Sequence, residues 1–209
     1  MDNQSIDQNE PESLVTYDRY RKALSTIYTD IATIYLPDAM DQIFAKESKI
    51  SDPVVFTNAM DFMIDHFLFD TMTDQGIPIY KDYFDSFPPK DTIREQMKAS
   101  IESSFASVFE YISHDKANKE LTLIDIFTEK KYLVLDRRFE IVREIEGSLF
   151  LVTRLLKIPE IDFYMHSGGI KHPILGLDTK TILKQYWKAN KRQDFENHPK
   201  RRLDFLLTL

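Results

Sequence analysis

Apolar and polar positions alternate most sharply between Glu120 and Asp136, in the stretch ELTLIDIFTEKKYLVLD. Leu121, Leu123 and Phe127 alternate there with Thr122, Ile124 and Ile126, and Leu133 and Leu135 alternate with Tyr132 and Val134. Thr128, Glu129, Lys130 and Lys131 lie between the two runs and tolerate a turn. A period of two on either side of a short polar gap predicts a β-hairpin. Both faces of both runs are largely apolar, whereas a surface hairpin keeps one face polar. The pattern therefore predicts a small closed barrel, or a curled sheet roofed by helices.

Before this hairpin the period is helical. Leu14, Tyr17, Tyr20, Leu24, Ile27, Tyr28, Ile31 and Ile34 form one stripe that ends near Leu36-Pro37. Pro37 suits the first position of a short second helix. Asp52-Pro53 is a cap followed by an N1 proline, and it opens a helix from Val54 to about Phe69 that is apolar on most sides. Such a helix is expected at the centre of its domain. Asp74-Gln75-Gly76 breaks it. Pro78 opens a short helix through Tyr80, Tyr83 and Phe84, which Pro88-Pro89 ends. Thr92 to Glu95 reads as a capping box with threonine as the cap.

Further strands are expected at Val108 to Ile112, Phe139 to Ile145, Ser148 to Ile158 and Ile161 to Met165, with turns at Lys116 to Lys119 and at Ser167-Gly168-Gly169. Thr181 to Lys191 predicts a last helix. Helices followed by strands indicate an α+β protein: an N-terminal helical region, a small antiparallel barrel-like module and a C-terminal helix. The expected division is a disordered tail at 1–13, a helical region at 14–106, the β module at 107–176, and a C-terminal helix and tail at 177–209.

Composition narrows the function classes. The chain of 209 residues is 43% hydrophobic and 12% aromatic, which argues for a folded core. It contains no cysteine, so disulfides and thiolate metal sites are excluded, and a reducing cytoplasm is the expected location. The first residues, MDNQSIDQNEPES, lack the basic start and apolar run of a secretory leader. No apolar run is long enough for a membrane span. A net charge of −7 disfavours general nucleic-acid binding, but the charge is unevenly spread.

The chain resembles a group of uncharacterised bacterial proteins that carry a helical region followed by a small β module, often upstream of a cysteine-rich SEC-C zinc motif. The resemblance rests on Phe67-Leu68-Phe69-Asp70, then on Asp74, Gly76 and Pro78, then on Leu123, Asp125 and Thr128, and finally on Gly147 and Arg154. It covers about residues 53–158 and implies a fold rather than an activity. Without cysteine the chain cannot carry the SEC-C motif itself.

Candidate chemistry is sparse. Asp61 and Asp65 are four residues apart and share a helix face with His66 nearby, which suits a cation or, more simply, a solvated acidic face. His114, His166 and His172 supply zinc-type ligands, but at turns of separate strands. His166-Ser167-Gly168-Gly169 lacks the G-x-S-x-G of a nucleophile elbow and the lysine of a phosphate loop. Asp125 and Arg154 interrupt apolar strands and are expected as structural polar residues. A buried carboxylate needs a partner, here either Arg154 or the backbone amides of the turn at Thr128 to Lys130.

The C-terminal segment is basic, with Lys180, Lys184, Lys188, Lys191, Arg192, Lys200, Arg201 and Arg202 interleaved with Tyr186 and Trp187. Lys184, Trp187, Lys188, Lys191, Arg192, Lys200, Arg201 and Arg202 form a candidate interaction surface for RNA or an acidic protein. The plainer alternative is a helix with Tyr186 and Trp187 inward and lysines in water. The expectation is a cytoplasmic binding or adaptor protein, non-enzymatic, with a protein partner and without cofactor or metal. The alternatives are an RNA- or ribosome-associated factor and a hydrolase-like enzyme.

Overall fold

A computed structural model describes residues 10–35, 65, 67–69, 71–137, 139, 149–171 and 181. The first helix, α1, spans Glu12–Tyr35. Its buried stripe of Leu14, Tyr17, Tyr20, Leu24, Ile27 and Ile31 follows the helical period read from the sequence. Helix α2 spans Ile79–Ser86 behind Pro78, which stands at the cap position. Helix α3 spans Thr92–Glu102. Its cap is Asp91 rather than Thr92: the Asp91 carboxylate accepts the Arg94 amide at 2.8 Å. Aspartate caps as well as threonine does, and a one-residue shift puts Asp91 where its oxygen reaches the third amide of the helix.

The strands β1 (Phe105–Asp115), β2 (Glu120–Asp125), β3 (Lys131–Leu135), β4 (Phe150–Lys157) and β5 (Tyr164–Lys171) close into a barrel in the order β1-β2-β3-β5-β4. β4 pairs back onto Phe105 to Glu110 of β1, and β2 pairs with Phe109 to Asp115, across a register shift between Tyr111 and Ser113. The bulge lets one long strand turn the corner between two neighbours. All pairs are antiparallel except β3 with β5, which is parallel, so the barrel is mixed rather than antiparallel throughout. Five strands closed with this Greek-key connectivity make the OB-type architecture.

Strand alternation sets the barrel interior. Phe109, Leu121, Leu123, Val134, Leu151 and Leu155 pack inside with Phe139. At one end Phe105, Phe109, Tyr132 and Tyr164 meet ring to ring, with centroids 5.1 to 6.1 Å apart. The outer face is covered only in part. Leu135, Leu156, Ile158 and Met165 join α1, α2, α3, Leu68 and Phe69 in a second core. Leu133 and Ile112 stay exposed on the opposite side. The sequence predicts cover on both faces of the hairpin; among the described residues the helices cover its outer face at the Leu135 end, and Ile126 is buried at the other.

Several boundaries differ from the sequence reading: β1 runs over Phe105–Asp115 rather than Val108 to Ile112, and β5 over Tyr164–Lys171 rather than Ile161 to Met165. β2 ends at Asp125, and residues 126–128 already turn. Ser167, Gly168 and Gly169 form no loop: they lie within β5. Leu155 pairs with His166 and Thr153 with Ile170, so three residues of β5 face the single residue Arg154. Serine and glycines signal an irregular backbone, and here that irregularity is a bulge inside a strand.

The helix expected at Val54 to Phe69 falls within the described residues only at its end, where Asp65, Leu68 and Phe69 are buried. The short helix after Pro37, the strand at Phe139 to Ile145 except Phe139, and the final helix beyond Thr181 lie outside the described residues. No described helix is long and apolar enough to cross a membrane.

Candidate functional site

Among the described residues, a cluster of buried polar side chains sits where the helices meet the β5 bulge. Arg154, opposite the bulge, points outward from β4, and its Nε meets an Asp65 oxygen at 3.0 Å. Both side chains are at most 5% exposed, so this is a desolvated pair that tolerates no missing partner. The remaining bonds supply what such a pair needs. Tyr28 donates its hydroxyl to the other Asp65 oxygen at 2.8 Å, and Arg154 Nη1 donates to Ser104 Oγ at 3.1 Å. The guanidinium also lies over the Phe69 ring, 5.0 Å from its centroid.

Arg21 of α1 completes the joint. Its Nη1 donates to the carbonyls of His166 and Ser167 at 2.6 and 2.9 Å. A bulge pulls carbonyls out of the strand ladder, and a buried carbonyl needs another donor. The Tyr28 ring covers the same spot: a Cβ added at Gly168 would stand 3.5 Å from it. Burial, then the Asp65 charge, pushes the Tyr28 phenol well above its ordinary range, so it remains a hydrogen-bond donor at neutral pH.

Asp125 and Arg154 do not pair. Asp125 is inside the barrel, opposite Phe109, and accepts the amides of Phe127 and Thr128 at 2.8 and 3.0 Å. It braces its own turn, as an aspartate with nearby free amides does. Arg154 faces outward on β4, opposite Ala106, on the other side of the wall. Asp65 is no part of a solvated acidic face; its partner Arg154 lies 89 residues away, a distance no local pattern reveals. Asp61 and His66 lie outside the described residues.

The histidines do not form a centre. His114 packs edge-on against Phe139, and its ring is held below the ordinary histidine range by burial and by Lys119 and Lys116. His166 Nδ1 lies 3.2 Å from the Thr153 hydroxyl, and Nε2 lies 3.7 Å from Asp136. Ser167 belongs to the opposite face, beside Tyr28. Adjacent strand residues project to opposite faces, so His166 cannot serve Ser167 as a base. His172 lies outside the described residues, and among those described no three His, Asp or Glu side chains converge on a metal position. The basic candidates Lys184, Trp187, Lys188, Lys191, Arg192, Lys200, Arg201 and Arg202 also lie outside them.

One open feature was not foreseen. A groove of about 610 Å³ runs between the last turns of α1 and the connection from α2 to α3. Its floor is a hydrogen-bonded triangle. Tyr83 donates to Asp30 Oδ2 at 2.8 Å, and Arg94 Nη2 reaches the same oxygen at 2.8 Å and the Tyr83 oxygen at 2.6 Å. The Tyr83 bond and then Arg94 hold the Asp30 carboxyl below its ordinary range. Ile34 and Phe87 line the groove and are 45% and 53% exposed. Lys90 adds a second cation. Pro88-Pro89 carried the local signal, since a rigid connection holds Phe87 outward after α2 ends.

A family model matches residues 11–207. The chain belongs to that family, the family of unknown function DUF7986. The match begins one residue before α1 and runs past β5, so the DUF7986 unit includes the helices as well as the barrel. No curated protein and no solved structure matches the chain.

Proposed function

We propose that this DUF7986 protein is a non-enzymatic intracellular binding or adaptor module that engages a protein partner through the groove at the end of α1. One observation carries the reading: Ile34 and Phe87 stand half-exposed on the walls of a groove whose polar floor is already hydrogen-bonded. Exposed apolar side chains grouped around a concavity mark contact surfaces. The polar groups elsewhere support the same reading, since Asp65, Arg154, Arg21 and Asp125 each hold one part of the chain to another. Barrel architecture adds no function by itself. Kinship with bacterial proteins that often precede a SEC-C motif is part of this proposal, supported by the order of helix, turn and barrel. The RNA-associated alternative has its support in the sequence of the basic C-terminal segment.

A photo-crosslinking residue placed at Phe87 in the full chain, inside cells, tests the reading. It is expected to give a discrete protein adduct that the Ile34→Asp change abolishes and that the same crosslinker at Lys116, in the exposed β1–β2 turn, does not give. The absence of an adduct at Phe87, or identical adducts at both positions, contradicts it.

A further inference from the structure

We infer that the groove takes a short acidic peptide segment of a partner protein, one that sets a carboxylate beside a large apolar side chain. This deepens the proposed function and rests on it. Charge complementarity and shape together favour such a segment. Of the described side chains lining the groove, Arg94 and Lys90 are cationic and Asp30 alone is anionic. Asp30 turns the same oxygen to Tyr83 and to Arg94, which fixes the guanidinium in place without cancelling Lys90. A guanidinium carries five N–H donors in a rigid fork, and the Asp30–Tyr83 contacts engage only Nη2. Carboxylates match that fork.

The apolar component sits beside the charge. Phe87 packs its ring 5.6 Å from that of Tyr83, so its outer face borders the triangle. Ile34, one turn of α1 beyond Asp30, faces the same space. An incoming Phe, Leu or Ile would be covered by Phe87 and Ile34 while a neighbouring Asp or Glu reaches Lys90 and the free edge of Arg94. A basic segment would meet two cations.

Selection of a random-peptide display library on the full chain, followed by titration of a synthetic peptide of the dominant sequence, tests the inference. The expected peptides pair Asp or Glu with Phe, Leu or Ile within a few residues. Lys90→Glu, an exposed change, is expected to weaken the peptide about tenfold, and Phe87→Ser to weaken it at least as much. Replacing the acid of the peptide by lysine should restore binding to the Lys90→Glu variant. Peptides without acid that lose binding to Phe87→Ser but bind Lys90→Glu unchanged would overturn the acidic class and leave the groove reading standing. Peptides indifferent to both variants would overturn both.

Discussion

Inside the barrel, Phe105, Phe109, Tyr132 and Tyr164 meet ring against ring, and apolar contact holds the interior together. A few ångströms outward, at the β5 bulge, the helices are attached by an arginine–aspartate pair, a tyrosine hydroxyl and an arginine on two carbonyls. Phe109 in the one region and the Asp65–Arg154 pair in the other are buried, but the tolerances of the two differ. An apolar interior loses energy in proportion to the cavity left by a substitution. A polar joint fails when one partner is removed, because the other remains desolvated and unanswered. The joint also fixes position. The apolar faces of α1 and β4 would accept several registers, whereas Arg21 fits only where the bulge frees the carbonyls of His166 and Ser167.

Substitutions at each region should show this contrast. In the barrel, Phe109→Ala should cost about 3–5 kcal/mol in denaturant unfolding, since Phe109 is fully enclosed. Phe109→Leu should recover more than half of that, because shape is what matters there. At the turn end of the barrel, Asp125→Ala should cost about 2 kcal/mol by stranding the amides of Phe127 and Thr128. Asp125→Asn keeps one acceptor and should recover most of it. A cost for Asp125→Asn equal to that for alanine would show that charge, and not turn bracing, is what the site needs.

The two regions were unequally legible in the sequence. Period-two alternation over Leu121 to Leu135 foretold the hairpin and a barrel-like module, because each strand records its own burial in its own residues, but it left open whether the barrel closes. The stripe from Leu14 to Ile31 foretold α1 in the same way. The joint left no such record. Asp65 and Arg154 are far apart in the chain, and each alone reads as an ordinary charge or an oddity in an apolar run. Ser167-Gly168-Gly169 signalled irregular backbone correctly, but a turn and a bulge share the same residues. The groove was invisible because Asp30, Tyr83 and Arg94 come from three helices.

A smaller effect concerns pH. Burial and hydrogen bonds to Glu160 and Asp82 push Tyr20 and Tyr35 up to about 12, and burial first of all raises Tyr17, Tyr28, Tyr83 and Tyr111. A phenol whose folded value is raised binds its proton more tightly in the native state. That contribution is complete below the ordinary tyrosine value of about 10 and is lost as pH rises towards 12. Unfolding measured across this window should show falling stability, and Tyr28→Phe should flatten the slope. His114 gives the smallest effect and the opposite sign. Its folded value lies below the ordinary 6.5, so its contribution is present above that pH and is lost as pH falls through the folded value. His114→Leu should flatten that acid limb, and an unchanged acid limb would remove His114 from the account.

The claim that a buried polar joint, rather than apolar contact alone, fastens the helices to the barrel is tested most directly by a double-mutant cycle on Asp65 and Arg154. Asp65→Leu and Arg154→Met are each expected to cost about 3–5 kcal/mol, because each takes an opposite charge away from a buried one. The double variant should cost at least about 1 kcal/mol less than the sum, since the second change removes the charge that the first one stranded. Costs that add to within about 0.5 kcal/mol would contradict the pairing and return the attachment of the helices to apolar packing alone.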